Sequence, residues 1–138
     1  MKVLVYALDS VEGEAACRRG IEEARTREAG LILATYVRVD SEGNSPDRSV
    51  AAAQQRLDDL VQAARDRGVV EAEGKVLLGM QGAAQALLDL AATIGAALLV
   101  IGIRRRTRVG KLVLGSVSQE LLLGADCPVL AVKDTDED

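Results

Sequence analysis

The sequence contains no histidine, no phenylalanine and no tryptophan, and its only aromatic residues are two tyrosines. Histidine is the commonest general base and the commonest metal ligand in proteins. Its absence excludes Ser-His-Asp and Cys-His hydrolases and most zinc enzymes. Without large aromatic side chains, the core must be built from Ala, Val, Leu and Ile, which favours helices packed closely on an aliphatic sheet. Apolar residues make up 49% of the chain, as expected for a folded protein rather than a disordered one.

The chain also lacks an excess of positive charge, a paired-cysteine motif and a long apolar run. Seventeen basic residues stand against 21 acidic ones, so the surface as a whole is not suited to nucleic acid. The apolar run at the start of the sequence is too short for a signal peptide. The longest apolar run, 96–103, is far shorter than a membrane span. We therefore expect a cytoplasmic protein with reduced cysteines, a single domain over residues 1–138, and no membrane or nucleic-acid partner.

Apolar runs alternate with amphipathic segments along the whole chain. This alternation predicts an α/β fold, a three-layer sandwich in which helices cover both faces of a five-stranded parallel sheet. The predicted strands are 3–8, 31–37, 71–79, 97–103 and 127–132, and the predicted helices are 12–28, 49–67, 83–94 and 116–124. The polar segment 40–48 is the best candidate for a mobile loop.

Ligands of such sheets bind beyond the carboxyl ends of the strands, where the strand order reverses. If the order is 3-2-1-4-5, this crevice lies between the first and fourth strands, and Asp9 and Gly102 face each other across it. Asp9 has two interpretations, as a ligand contact or as an acid at the start of a helix.

The stretch "VIGIRRRTRVGKLVLGS", residues 100–116, follows the fourth strand into the last helix. Gly102 would permit a close approach of the main chain to a ligand, and the N–H groups at the start of the helix would attract an anion. Ser116 and Gln119 have the spacing of a capping box, so Ser116 has a purely structural interpretation too. The intervening basic residues contact phosphate, form a solvated loop or contact the acidic surface of a second subunit: Arg104, Arg105, Arg106, Arg108 and Lys111.

The segment "VIGIRRRTRVGKLVLGSVSQELLLGADCPVLAV" resembles the C-terminal signature of the universal stress protein family. The family pattern is Gly, two residues, Gly, nine residues, and then Gly-Ser or Gly-Thr. The resemblance extends over the whole chain, from "VLVYALD" to "CPVLAV". It implies a flavodoxin- or Rossmann-like sandwich, similar to adenine nucleotide alpha hydrolases, with strand order 3-2-1-4-5. It also implies a homodimer that pairs through the last strand, residues 128–132, and binds ATP with Mg²⁺.

The resemblance assigns roles to individual residues. Asp9 and the main chain of Val37 would contact the adenosine end, and Gly102 would approach the ribose and the phosphates. Gly115 and Ser116 would hold the phosphate chain, and the next residue, Val117, belongs to the same nucleotide-binding set.

Arg105 departs from the family pattern, because it stands where the second signature glycine is expected. If that position needs a positive φ or a bare main chain, Arg105 blocks the phosphate path. If its backbone is ordinary, the guanidinium is a bidentate donor for phosphate. The two possibilities lead to two functions: an ATP-binding homodimeric regulator of stress responses, or a dimerising interaction module that binds no nucleotide. Neither is an enzyme, beyond slow ATP hydrolysis.

Overall fold

The computed structural model describes residues 1–44, 47–105 and 112–134. Its strands are β1 Lys2–Tyr6, β2 Gly30–Arg38, β3 Ala72–Gly79, β4 Leu98–Arg105, β5 Leu112–Val113 and β6 Val129–Lys133. Its helices are α1 Val11–Arg27, α2 Asp47–Asp66, α3 Ala83–Ile94 and α4 Ser116–Gly124. The predicted elements are all present, with ends that differ by about two residues or fewer, as is usual for assigned boundaries.

Five parallel strands form the sheet in the order β3-β2-β1-β4-β6, which confirms the predicted order 3-2-1-4-5. The predicted fifth strand is β6 in this numbering, because a short strand precedes it in the chain. That short strand, β5, pairs antiparallel with the end of β4, Arg104 opposite Val113 and Arg105 opposite Leu112. The sequence analysis did not predict β5, whose two residues are too few to show a periodic pattern.

The sheet is covered on both faces, as predicted. Side chains of β1 alternate between the two sides, so that Val3 and Val5 pack under α1 and α2 while Leu4 packs under α3 and α4. The buried residues of both layers are almost all Ala, Val, Leu and Ile. This aliphatic core confirms what the lack of aromatic residues implied. Within the described ranges, no helix is both long and apolar enough to cross a membrane.

Two helix ends follow local sequence rules, and one predicted cap does not form. Ser10 caps α1, its Oγ accepting a hydrogen bond from the Gly13 N–H at 3.0 Å, and Gly95 ends α3 in a left-handed conformation with φ 61°. The predicted capping box at Ser116 is wrong. Gly115 is the N-cap of α4, no side chain caps that end, and the Gln119 Nε2 donates to the Leu114 carbonyl at 3.0 Å instead.

Candidate functional site

A cavity of about 410 Å³ lies at the carboxyl ends of β1 and β4, beside the first turn of α4. The strand order reverses between β1 and β4, so the cavity lies where parallel sheets bind ligands. Its lining includes four of the residues to which the resemblance assigned nucleotide binding, namely Gly102, Gly115, Ser116 and Val117. The rest of its described lining is Tyr6, Leu8, Glu12, Gly13, Arg104 and Ser118.

The amino end of α4 opens into this cavity without a capping side chain. The Gln119 N–H donates to the Gly115 carbonyl at 3.0 Å, which is the first hydrogen bond of the helix. The N–H groups of Ser116, Val117 and Ser118 therefore precede the helical ladder, and the helix dipole adds partial positive charge there. This arrangement is suited to an anion.

Gly102 and Gly115 both line this cavity, but the packing of the described residues requires glycine only at position 102. A Cβ at position 102 would collide with the carbonyl oxygen of Glu12 in the first turn of α1, so the packing of that helix against β4 requires glycine. A Cβ at position 115 would have no described heavy atom within 4 Å, and the backbone is extended there, with φ −68°. Packing among the described residues therefore does not explain the glycine at position 115. Because this residue has no side chain, it does not itself cover the start of α4.

Three further polar groups face or border the cavity. The Glu12 side chain is 16% exposed, and its Oε1 has no hydrogen-bond partner in the described part of the chain. Among the described residues, that oxygen forms an ion pair with Arg104, whose Nε is 3.9 Å away. Burial raises the pKa of Tyr6, so its phenol stays neutral at physiological pH. The sequence analysis missed Glu12, since an acid in the first turn of a helix has an ordinary structural explanation.

Asp9 and Val37 lie apart from the described lining of this cavity. The Asp9 carboxylate is 81% exposed, with Oδ1 3.5 Å from the Nε of Arg56, and it borders a second cavity of about 620 Å³ between α1 and α2. Val37 is half-buried near the carboxyl end of β2, where it pairs with Leu78 of β3.

Arg105 is the last residue of β4 and pairs with Leu112, so its main chain is extended. Any residue adopts that conformation, and this position therefore does not require glycine for a positive φ. Arg104 precedes it and lines the cavity. Three other basic residues of the predicted phosphate set, Arg106, Arg108 and Lys111, lie outside the described residues, as do residues 45–46 of the predicted mobile loop 40–48.

Arg56 of α2 is a residue that the sequence analysis did not select. Its Nη1 donates to the carbonyl of Ala7 at 2.6 Å, and its Nη2 donates to the carbonyl of Leu8 at 2.9 Å. These two bonds join α2 to the connection between β1 and α1, 48 or more residues away in sequence. An arginine on an amphipathic helix carries no sequence signal that distinguishes such a contact from a solvated position.

Comparison with known proteins decides the family. The chain matches the sequence model of the universal stress protein family over residues 1–133. It is 40% identical over 133 residues to a universal stress protein of Mycolicibacterium smegmatis, covering 96% of this chain and 97% of the relative. The chain belongs to the universal stress protein family.

Solved structures of the family share its fold. The universal stress protein of Archaeoglobus fulgidus superposes with a TM-score of 0.79 at 25% identity, covering 96% of this chain and 93% of that one. A universal stress protein of Archaeoglobus fulgidus in complex with dAMP gives a TM-score of 0.74 at 25% identity, with 96% of each chain covered. A universal stress protein in complex with cAMP gives 0.69 at 26% identity, with 97% and 98% covered.

Proposed function

We propose that this universal stress protein binds an adenine nucleotide, ATP with Mg²⁺, and acts as a homodimeric regulator of stress responses in the cytoplasm. The observation that carries the proposal is one cavity that joins Gly102, the open space at Gly115 and the uncapped start of α4. The dAMP and cAMP complexes of relatives at 25% and 26% identity support adenine nucleotides as the ligand class.

The residues present fit such a ligand. A cavity of about 410 Å³ falls within the range of small-molecule sites. The phosphates would lie at the N–H groups of Ser116 and Val117, with Arg104 supplying positive charge, and the adenosine end would extend towards Asp9 and Val37. The described residues include no cluster of three or more His, Cys, Asp or Glu that would hold a metal alone. Mg²⁺ would therefore be held mainly by the phosphates, as it commonly is.

A titration followed by thermal unfolding tests this proposal. We expect Mg-ATP to raise the Tm as its concentration exceeds the Kd. Ser116→Asp should abolish this rise, because a carboxylate would occupy the position of the phosphate. The variant should itself remain stable, since an acid in the first turn suits the helix dipole. Gln85→Glu adds the same charge to the first turn of α3 and should leave the rise unchanged. An equal rise in wild type and Ser116→Asp would contradict the proposed site.

The dimer would form at β6. This strand pairs with β4 on one side and, in the described part of the chain, with no strand on the other, although its sequence is apolar. Apolar edge strands of this kind are seldom left unpaired. A second copy would pair with it antiparallel.

The register of β6 allows the dimer to be tested without disturbing the sheet. The Pro128 carbonyl accepts from the Leu99 N–H, and the Asp134 N–H donates to the Ile103 carbonyl, both at 3.0 Å. Because strand hydrogen bonding alternates, the Ala131 N–H points away from β4. Ala131→Pro should therefore convert a dimer to a folded monomer in light scattering. A wild-type monomer would contradict the proposed dimer.

A second candidate function is a dimerising interaction module that binds no nucleotide. Two observations favour it: the Glu12 carboxylate lies in the cavity lining, where it would repel a phosphate, and the packing of α1 alone explains Gly102. This function predicts no Tm rise at millimolar ATP together with an intact dimer.

Arg105→Gly would then be informative, because a gain of ATP affinity would show that the arginine obstructs the site. Either function predicts no catalysis beyond slow ATP hydrolysis.

A further inference from the structure

We propose that Arg56 is a positioning residue for the nucleotide site, acting from α2 on the connection between β1 and α1. This inference rests on the nucleotide binding proposed above. Arg56 is absent from the described lining of the 410 Å³ cavity, so its effect would pass through the residues that it holds, Ala7, Leu8 and Asp9.

Three oxygen atoms of consecutive residues converge on one guanidinium. They are the Ala7 carbonyl at 2.6 Å, the Leu8 carbonyl at 2.9 Å and the Asp9 Oδ1 at 3.5 Å. The planar fork of arginine can donate to adjacent oxygens at the same time, and bonds from an ionised donor are stronger than neutral ones. Arg56 is 21% exposed and Ala7 is fully buried, so the bond to the Ala7 carbonyl is partly shielded from water, whereas the bond to the Leu8 carbonyl is exposed.

One of the three residues that Arg56 contacts forms part of the wall of the site. Leu8 lines the 410 Å³ cavity, one residue from Ala7 on one side and from Asp9 on the other. The Leu8 carbonyl also accepts from the Ser10 N–H at 2.9 Å, and it lies so close to Gly13 that a Cβ there would collide with it. The Leu8 carbonyl is therefore held both by Arg56 and by the residues at the start of α1. Loss of Arg56 would remove a donor from both carbonyls. The Leu8 carbonyl would then be held from the α1 side only, and Ala7 through its N–H, which donates to the Ala34 carbonyl of β2 at 2.7 Å.

The same helix offers a matched control. The Nη2 of Arg65 donates to the carbonyl of Ala72 at 3.1 Å, which is the same kind of bond between α2 and the main chain. Ala72 begins β3, and the starts of parallel strands lie at the opposite edge of the sheet from the cavity. Arg56→Gln and Arg65→Gln each remove a guanidinium bound to main-chain oxygen, but only the first lies beside the site.

Calorimetric titrations of the full chain with Mg-ATP and with inorganic tripolyphosphate distinguish a positioning role of Arg56 from a general loss of packing in the protein. We expect Arg56→Gln to weaken Mg-ATP binding about tenfold and Arg65→Gln to change it by less than about twofold. Tripolyphosphate would bind at the start of α4 and at Arg104 only, so neither variant should change its affinity by more than about twofold. Arg56→Lys keeps the charge but loses the fork, and its ATP affinity should fall between wild type and Arg56→Gln. This variant also serves if Arg56→Gln does not fold.

Each outcome has a definite meaning. Wild-type ATP affinity in Arg56→Gln, or an equal loss of ATP and tripolyphosphate affinity, would overturn the positioning role and leave the proposed function intact. An equal loss of ATP affinity in Arg65→Gln would also overturn it, because the effect would then be general. Failure of the wild-type chain to bind ATP at all would instead overturn the proposed function, and the positioning role with it.

Discussion

The end of β4 and the start of α4 meet at one cavity, but the fold explains the residues of the first much better than those of the second. At the end of β4, Gly102 is required by the main chain of α1 packed against it. At the start of α4, a Cβ on Gly115 would meet no described heavy atom within 4 Å, and Ser116 is exposed and does not cap the helix. A family signature can therefore combine positions that the fold needs with positions that it does not. The second kind is the better evidence for a ligand.

The largest expected effect tests this contrast directly. Gly102→Ala should lower the free energy of unfolding by about 3 kcal/mol, because the added methyl group would force α1 away from β4. Gly115→Ala should change it by less than about 0.5 kcal/mol, since the backbone is extended and nothing described lies within 4 Å. Urea denaturation measures both values. Similar losses in the two variants would show that Gly115 also has a structural role.

Ser10 and Ser116, each at the start of a helix, allow a second comparison of the same kind with smaller expected changes in stability. Ser10→Ala should lower the free energy of unfolding by about 1 kcal/mol, because it removes the acceptor of the Gly13 N–H. Ser116→Ala should lower it by less than about 0.5 kcal/mol, because its hydroxyl caps nothing in α4. In the ATP titration the order should reverse, with the larger loss of affinity in Ser116→Ala. A larger loss of stability in Ser116→Ala than in Ser10→Ala would restore the capping role.

The reactivity of the two cysteines reports on the packing of α1, the helix that Gly102 accommodates, with the smallest perturbation. Cys17 lies on α1, is 1% exposed, and burial raises its pKa to about 11. Cys127 follows α4 and is half-buried, and burial raises its pKa as well. At pH 8 a thiol reagent should modify Cys127 in the native protein and Cys17 only after denaturant is added. Faster modification of Cys17 in Gly102→Ala would show that α1 has moved, and rapid modification in wild type would contradict the packing described for α1.

Much of the fold could be predicted from the sequence because the determining signals are local. Aliphatic runs marked the strands, and Gly95 marked the end of α3. The short strand β5 has no periodic signal, and the cap of α4 depends on one residue of register, Gly115 rather than Ser116. Within the candidate site, the glycine and serine positions were found from the resemblance to the family signature and from their places beside a predicted strand end and a predicted helix start. Glu12 and Arg56 were not, because their contacts join segments that are distant in sequence and only the folded structure brings them together.

The scarcity of aromatic residues has an experimental consequence. With no tryptophan in the chain, all intrinsic fluorescence comes from two tyrosines. Tyr6 lines the cavity beside Ser116, and the hydroxyl of Tyr36 accepts a hydrogen bond from the Gly82 N–H at 3.0 Å. Emission from Tyr6 would respond to an adenine ring or a phosphate that enters the cavity, and Tyr36→Phe would remove the second emitter. The protein thus contains its own optical probe of occupancy, and a binding curve can be recorded without attaching a label.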